Sequence, residues 1–455
     1  MSRRWSRRRA LAALGGAALA GCSQPGGAPI EGSPGSSSPE SPAGATTVPE
    51  PDVTFTPEEG WEAPDDAPTA DVEANVLVEN LEIPWDVSVA PNGDLFLTER
   101  VGRVTRFSAG DLESVLAPAD AIDAGSVPPG HEDRPWWVDG GEGGTLGVAV
   151  HPNYPDAELL FVYYTADVGG VAGVGGDVRN RVSRFDLSAD DPGAAETVLI
   201  DEIPASNIHN GGRLTFGPRG FLWVTVGDAG EESLAADPSS LAGSVLRVTV
   251  RGEPAPDNPD VEGGDPRVFT SGHRNPQGTA WLPEGTPIAS EHGPSAKDEI
   301  NRLEPGADYG WPDVRSREEY GDASADVHRP LASSGGTTWA PTGCRFYTGD
   351  GVPSWRNRLL VGGLNSQQLL VATLTPPDAE PPPVGDGRRF DADWLDDAYT
   401  VTAHARLGDE LGRVRHVEQG PDGALYAITS NRDGRAREPF PRERDDVLVR
   451  LEASA

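Results

Sequence analysis

From about residue 73 onward the chain alternates short apolar, β-prone runs with turns built from Gly, Pro, Asp and Asn. One unit keeps returning: a Pro-led turn followed by an apolar strand. It begins at Pro91, Pro152, Pro218, Pro283, Pro353 and Pro421, at separations of 61, 66, 65, 70 and 68 residues. Six copies at nearly even spacing predict a radially repeated all-β protein, a six-bladed β-propeller with four-stranded blades over residues 73–455. An elongated sandwich array is the alternative. Each unit has room for four strands of about five residues and their turns. Candidate strands at 72–81 and 447–451 lie at the two ends of this domain. Pairing them in one blade, near residues 75 and 449, would close the ring and remove two free edges. The period is broken at 121–141 and 167–177, loops expected at the mouth of the channel.

Before the repeats the texture differs. Five arginines within residues 2–9 precede the apolar run 10–20, and Leu19-Ala20-Gly21-Cys22 follows. This resembles a lipoprotein signal with a twin-arginine character, residues 1–22, with Cys22 as the lipidated residue. Eleven apolar residues are too few to span a bilayer. The implied location is the cell surface, with membrane contact only through the N-terminal lipid. Residues 23–72 are rich in Ser, Pro, Gly, Glu and Ala, the composition of a disordered tether.

Composition narrows the function. Asp and Glu number 72 against 37 Lys and Arg, a formal charge of −35. Phosphate would be repelled, so a nucleic-acid partner is excluded. Acidity spread along the chain suits solubility in concentrated salt and fits a halophilic source. Lys297 is the only lysine, and Gly (56) with Pro (43) argues for loop-rich β structure. Cys344 has no partner once Cys22 carries lipid, so core burial or metal must hold the fold. No serine-nucleophile elbow, phosphate loop, zinc-protease helix, cysteine zinc pair, EF-hand or dinucleotide fingerprint occurs.

Polar, Gly-bounded segments next to strands remain: Ile208-His209-Asn210-Gly211-Gly212-Arg213-Leu214, Gly272-His273-Arg274-Asn275-Pro276-Gln277-Gly278, and Ser290-Glu291-His292-Gly293-Pro294. The last runs on to Asp298-Glu299-Ile300-Asn301 and Tyr309-Gly310-Trp311-Pro312. A lone turn histidine is usually a satisfied surface residue. Here two glycines and an arginine crowd it, allowing close backbone approach to a ligand. Asp298-Glu299, read alone, is solvated acidic surface. With the neighbouring Pro/Gly turns it could also form an oxygen cage for calcium.

These segments, with Ile83-Pro84-Trp85-Asp86, Thr98-Glu99-Arg100, Gly227-Asp228 and Gly420-Pro421-Asp422-Gly423, resemble the soluble quinoprotein aldose dehydrogenases of the glucose/sorbosone dehydrogenase family. The resemblance covers about residues 76–452. It implies pyrroloquinoline quinone (PQQ) and calcium as cofactors, a small sugar as substrate, an external electron acceptor, and oxidation of aldoses to lactones. Carried over, His209 is the general base that takes the anomeric hydroxyl proton while hydride leaves C1, kept neutral by the arginines around it. Arg274 and Asn275 contact the quinone, Arg274 also stabilising charge that develops there. Arg413 and Arg415, alternate residues on one strand face, hold the cofactor carboxylates. The carbonyls of Gly293 and Pro294 bind the catalytic calcium, and Glu299 with Tyr309 a structural one. Asn365 stands where some members have a quinone-binding lysine, and Glu142 near the sugar where some have glutamine. The aromatic sugar-stacking positions, near 335–339, do not align. The competing class is a non-catalytic propeller that binds a glycan or protein, as the hedgehog-interacting proteins do. Keeping His209, Arg274, Asn275, Arg413 and Arg415 together favours the enzyme.

Overall fold

The computed structural model describes residues 48–124, 141–169, 178–324 and 326–454. Cys22, the signal and the tether up to residue 47 lie outside the described residues. So do most of the expected loop insertions at 121–141 and 167–177.

Six antiparallel sheets form the body, and neighbouring sheets touch in ring order, the sixth returning to the first. Their innermost strands are Pro84–Val89, Thr145–Val150, Leu214–Phe216, Pro276–Trp281, Pro341–Tyr347 and Val414–Gln419. These open blades 1 to 6. Every recurring Pro-led turn is the hairpin joining the first strand of a blade to its second: Pro91 follows Val89, Pro218 follows Phe216, and Pro421 follows Gln419. The repeat in the sequence is thus the blade itself. Blade 6 closes the ring: Val72–Val78 pairs with Leu448–Ala453, with Asn75 opposite Arg450 and Val76 opposite Val449.

Two details differ from expectation. Blade 5 carries a fifth, edge strand, Arg388–Phe390, beside Thr400–Arg406. The second strands do not alternate inside and outside. Leu95–Glu99, Leu222–Val226 and Arg358–Gly363 are buried at every position, because both sheet faces are covered by neighbouring blades.

Residues 48–71 correct the expected tether, which does not reach residue 72. They run along the body as a strap. Asp52 N donates to Asn153 Oδ1 (2.7 Å), Glu58 N to the Pro283 carbonyl (3.0 Å) and Asn357 Nδ2 to the Glu62 carbonyl (3.0 Å). Trp61 meets Phe346 edge-on at 5.2 Å. Buried Arg358 and Arg406 supply the physical reason, since both need acceptors. Asp66 pairs with Arg358 at 2.8 Å, and the Pro68 carbonyl accepts from Arg406 at 2.8 Å. The strap therefore engages turns between first and second strands. The other rim is built from the inter-blade connections and the turns between second and third strands, and it carries the chemistry.

At the centre, Arg213 enters the channel just before Leu214. Its side chain is 1% exposed; Nη1 pairs with Asp86, and Nε donates to the Gln277 carbonyl at 3.0 Å. Its guanidinium lies 4.4 Å from the Trp85 ring centroid. Removing the counter-charge of a buried cation costs about 3–5 kcal/mol. Asp86→Ala should therefore lower the melting temperature by several degrees in calorimetry, whereas Asp94→Ala on an exposed turn should leave it within a degree or two.

Candidate active site

His209 sits in the connection from blade 2 to blade 3 with φ of 56°, an unusual left-handed conformation for a non-glycine residue. Neighbouring glycines make it possible. A Cβ on Gly227 would fall 2.1 Å from the His209 carbonyl oxygen, and one on Gly211 within 2.6 Å of the 225–227 backbone. The loop thus lies flush on the end of strand Leu222–Val226, whose next carboxylate is Asp228.

That approach gives the histidine its partners. His209 Nδ1 is 2.7 Å from Asp228 Oδ1, and Arg274 Nη2 is 2.7 Å from Nε2. A guanidinium only donates and a carboxylate only accepts, so Nδ1 carries the hydrogen and Nε2 the lone pair. This is the tautomer a base needs. His209 N donates to Glu142 Oε2 at 2.8 Å, while Glu142 Oε1 pairs with Arg435 at 3.1 Å. Burial opposes ionisation of Glu142, yet Arg435, His292 and the His209 N–H hold its pKa down at about 2.

A cavity of about 510 Å³ opens beside this group. Of the residues singled out from sequence, His209, Glu142, Arg274, Gly293, Asn365, Arg413 and Arg415 line it. Asn275 lies just behind: its Oδ1 accepts from Gly211 N at 3.0 Å, and its buried Nδ2 has no protein partner. Arg274 Nη1 is shared between the carbonyls of His292 (3.1 Å) and Gly293 (3.0 Å). Hard oxygens therefore already gather around a positive charge beside Pro294. Asp298 is not the solvated surface residue its sequence suggests. It is 2% exposed, and accepts from Gly293 N (3.0 Å), Thr338 Oγ1 (3.0 Å), Trp339 N (2.6 Å) and Ala340 N (2.9 Å).

The arginines divide into two kinds. Arg413 is paired with Asp433 at 2.5 Å, and Arg435 with Glu142. Among the described residues, Arg100, Arg274 and Arg415 instead meet no carboxylate at salt-bridge distance. Arg100 donates to the carbonyls of Gly141 (2.5 Å) and Gly143 (2.8 Å), and Arg415 Nη1 to Gln277 Oε1 (3.0 Å). Burial lowers all three pKa values, Arg100 to about 10 and Arg415 to about 9. The Nε atoms of Arg274 and Arg415 are buried without partners. Three guanidiniums without a contacting carboxylate among the described residues leave donors suited to an anion. Arg413, expected to hold the cofactor carboxylates with Arg415, is paired with Asp433, and Arg100 lines the same cavity.

Glu299 and Tyr309 lie away from the cavity. Glu299 stands opposite Glu291 in the strand register, and burial together with Glu291 raises its pKa to about 8. Its Oε1 accepts from Tyr320 OH at 3.0 Å. The Tyr309 phenol turns instead to the Arg302 carbonyl and Glu304 N, and its ring stacks on His273 at 4.5 Å. The two are thus not joined through the Tyr309 hydroxyl; only its backbone is left for a shared ligand.

The profile described as glucose/sorbosone dehydrogenase matches residues 81–438. The chain belongs to this family of sugar dehydrogenases. The aldose sugar dehydrogenase YliI of Escherichia coli is 28% identical over 396 residues, covering 84% of this chain and 95% of that protein. Quinoprotein glucose dehydrogenase B of Acinetobacter calcoaceticus is 27% identical over 295 residues, 58% of each chain. The PQQ-bound form of the aldose sugar dehydrogenase from Streptomyces coelicolor superposes with a TM-score of 0.63 at 29% identity, covering 85% of this chain and 99% of that one.

Four side chains of this family member escaped a role on sequence: Asp228, Arg100, Trp85 and Gln277. Each ends or begins an apolar strand at a Gly- or Pro-marked boundary, the same signal that exposed His209.

Glu142, with its depressed pKa, stabilises the fold above its unfolded value of about 4.3. That contribution is lost as pH falls toward about 2. In urea titrations at a series of pH values, Glu142→Gln should flatten the acid decline of stability between those limits.

Proposed function

We propose that the protein is a PQQ- and calcium-dependent dehydrogenase that oxidises aldose sugars at C1 to lactones and passes the electrons to an external acceptor. The observation that carries the reading is a set of three guanidiniums, Arg100, Arg274 and Arg415, that have no carboxylate partner among the described residues and stand beside the Asp228–His209 pair. PQQ, as bound by the Streptomyces relative, is a planar tricarboxylate, and the residues present fit it. The orphan N–H groups of Arg274, Arg415 and Asn275 supply further donors. Gly293 and Pro294 would hold calcium by their carbonyls. Glu291 and Glu299, cross-strand neighbours, would supply carboxylates to a second, structural ion.

When bound, PQQ supplies the acceptor for the hydride leaving sugar C1, and calcium the Lewis acid that polarises it. His209 does the proton work. Its Nε2 lone pair takes the anomeric hydroxyl proton, and Asp228 stabilises the imidazolium that results. For this the sugar hydroxyl must replace Arg274 on Nε2. Arg274 would then be free to offer its N–H groups to the quinone. Glu142 fixes the His209 backbone from below and, with Arg435, borders the sugar's side of the cavity. A non-catalytic propeller would have no use for a base held in one tautomer.

We further propose that Cys22 is lipidated and that the enzyme works at the cell surface. Cys22→Ser should then move the protein from the membrane to the soluble fraction.

His209→Gln should lower turnover by about 10²–10⁴-fold, the usual worth of a general base. PQQ should still bind, as followed by its absorbance with a dye-linked sugar panel. Wild-type turnover in this variant would remove the base from the mechanism. Asn365→Lys should tighten PQQ and leave the pH profile unchanged. Calcium that binds only the folded state should raise the melting temperature with the logarithm of its concentration above Kd; a chelator with no effect on melting or activity would refute it.

A further inference from the structure

Trp311 touches none of the expected ligands, yet its contacts lead to both ring nitrogens of His209. It comes from the long excursion between the third and fourth strands of blade 4, residues 303–331, and is 6% exposed. Its Nε1 donates to Asp228 Oδ2 at 2.9 Å. Asp228 Oδ1 serves His209 Nδ1 and Gly230 N, each at 2.7 Å. Asp228 is fully buried, so its second oxygen depends on a protein donor. The Trp311 ring also lies under Arg274, 5.4 Å from its guanidinium carbon, and under Arg315 at 4.6 Å. Arg274 is the residue on His209 Nε2. Trp311 N donates to the Gly272 carbonyl at 2.9 Å, two residues before Arg274, which locks the indole in register with that loop.

We propose that Trp311 is a positioning residue for the catalytic histidine: its N–H fixes the Asp228 carboxylate while its ring face seats Arg274. This rests on His209 being the base, as argued above. A buried carboxylate deprived of one donor is free to turn about its soft terminal torsion, and His209 then loses its single tautomer. The charged groups facing His209 are Asp228, Glu142 with Arg435, and Arg274. Asp298 and Glu291 lie beyond Arg274, and Arg315 with Glu232 lies on the Trp311 side. With these unchanged, an Asp228 short of one donor attracts the imidazole proton more strongly. The histidine should then lose its proton at higher pH.

Trp311→Phe tests this, because it keeps a ring under the guanidiniums and deletes the N–H. The readouts are nitrogen NMR of His209 in the protein without added cofactor, assigned by its loss in His209→Gln, and the pH dependence of kcat/KM with PQQ and a dye acceptor. The wild type should show the Nδ1–H tautomer. Trp311→Phe should show a mixture, a higher titration midpoint and an acid limb of kcat/KM moved upward. Its kcat should be about 10–100-fold lower, as expected for one hydrogen bond to a buried charge, with KM within about twofold. Trp311→His, which can still donate, should recover the wild-type tautomer in part. A folded Trp311→Phe protein with unchanged tautomer and midpoint overturns the proposal, as does a Trp311→His protein that is folded and indistinguishable from it. Should the wild type fail to oxidise any sugar with PQQ, the NMR comparison still decides the role of Trp311, and only the activity reading falls.

Discussion

The buried ion pair between Arg213 and Asp86 is the constraint on which the rest of the molecule hangs. A propeller has a hole where six inner strands converge, and that hole must be filled without leaving polar atoms unmet. Here the filling is ionic. Arg213 comes from the entry to blade 3, Asp86 from blade 1, the Gln277 carbonyl from blade 4, and Val148 N, which donates to Asp86 Oδ2 at 3.0 Å, from blade 2. Burial pushes the Asp86 pKa up and the Arg213 pKa down, so each charge is tolerable only with the other present. Four blades are thereby held at one point. The upper side of this plug is the floor of the cavity, since Trp85 and Gln277 face both. Arg415 rests on that floor, 5.4 Å from the Trp85 centroid and bonded to the Gln277 amide. Arg415 is thus seated by Trp85 and Gln277, the same two residues that contact Arg213 from the other side.

Above this floor, function is concentrated on one rim by the antiparallel topology alone. Every blade is entered from the same side, so inter-blade connections and turns between second and third strands converge there. His209, Arg274 and Arg413 come from the former; Arg100, Asp228, Gly293, Asn365 and Asp433 come from the latter. The strap of residues 48–71 engages turns on the opposite rim, leaving the mouth clear. His209, whose left-handed backbone costs about 1–3 kcal/mol, sits on the functional rim. It persists because Gly211 and Gly227 give it room and Glu142 and Asp228 hold it.

The blades were legible because the first hairpin of each is marked by a proline and a polar turn, which local chemistry dictates whatever surrounds it. His209, Arg274 and Arg415 were legible for a related reason: polar residues crowded by glycine at a strand boundary. What the sequence could not convey was partnership. Asp298 and Glu299 looked like two more acids in a very acidic chain, and only the fold shows that both are withdrawn from solvent. Arg413 and Arg415 look alike in the sequence, yet Asp433, from a turn about twenty residues away, pairs directly with Arg413 just before the strand, while Arg415 within it bonds to Gln277. The strap was hidden by its composition. Its carbonyls matter because they complete the hydrogen bonding of buried Arg358 and Arg406, a need written elsewhere in the chain.

Charge at two scales completes the picture. The whole chain carries −35, a field that opposes the approach of any anion at low ionic strength. The cavity has the reverse sign locally, its described lining carrying five arginines against three carboxylates. Concentrated salt screens the long-range field within a few ångströms, while pairs formed inside the cavity are screened far less. Salt should therefore help a polyanionic cofactor to arrive without weakening its hold once seated. An acidic surface and a basic pocket are compatible for this reason: the first acts over distances that salt abolishes, the second at hydrogen-bond contact. Neutral sugars feel neither field. Their recognition must rest on the hydroxyl partners that His209, Glu142 and the cavity walls present, so a single site can take a charged cofactor and an uncharged substrate by separate physical means.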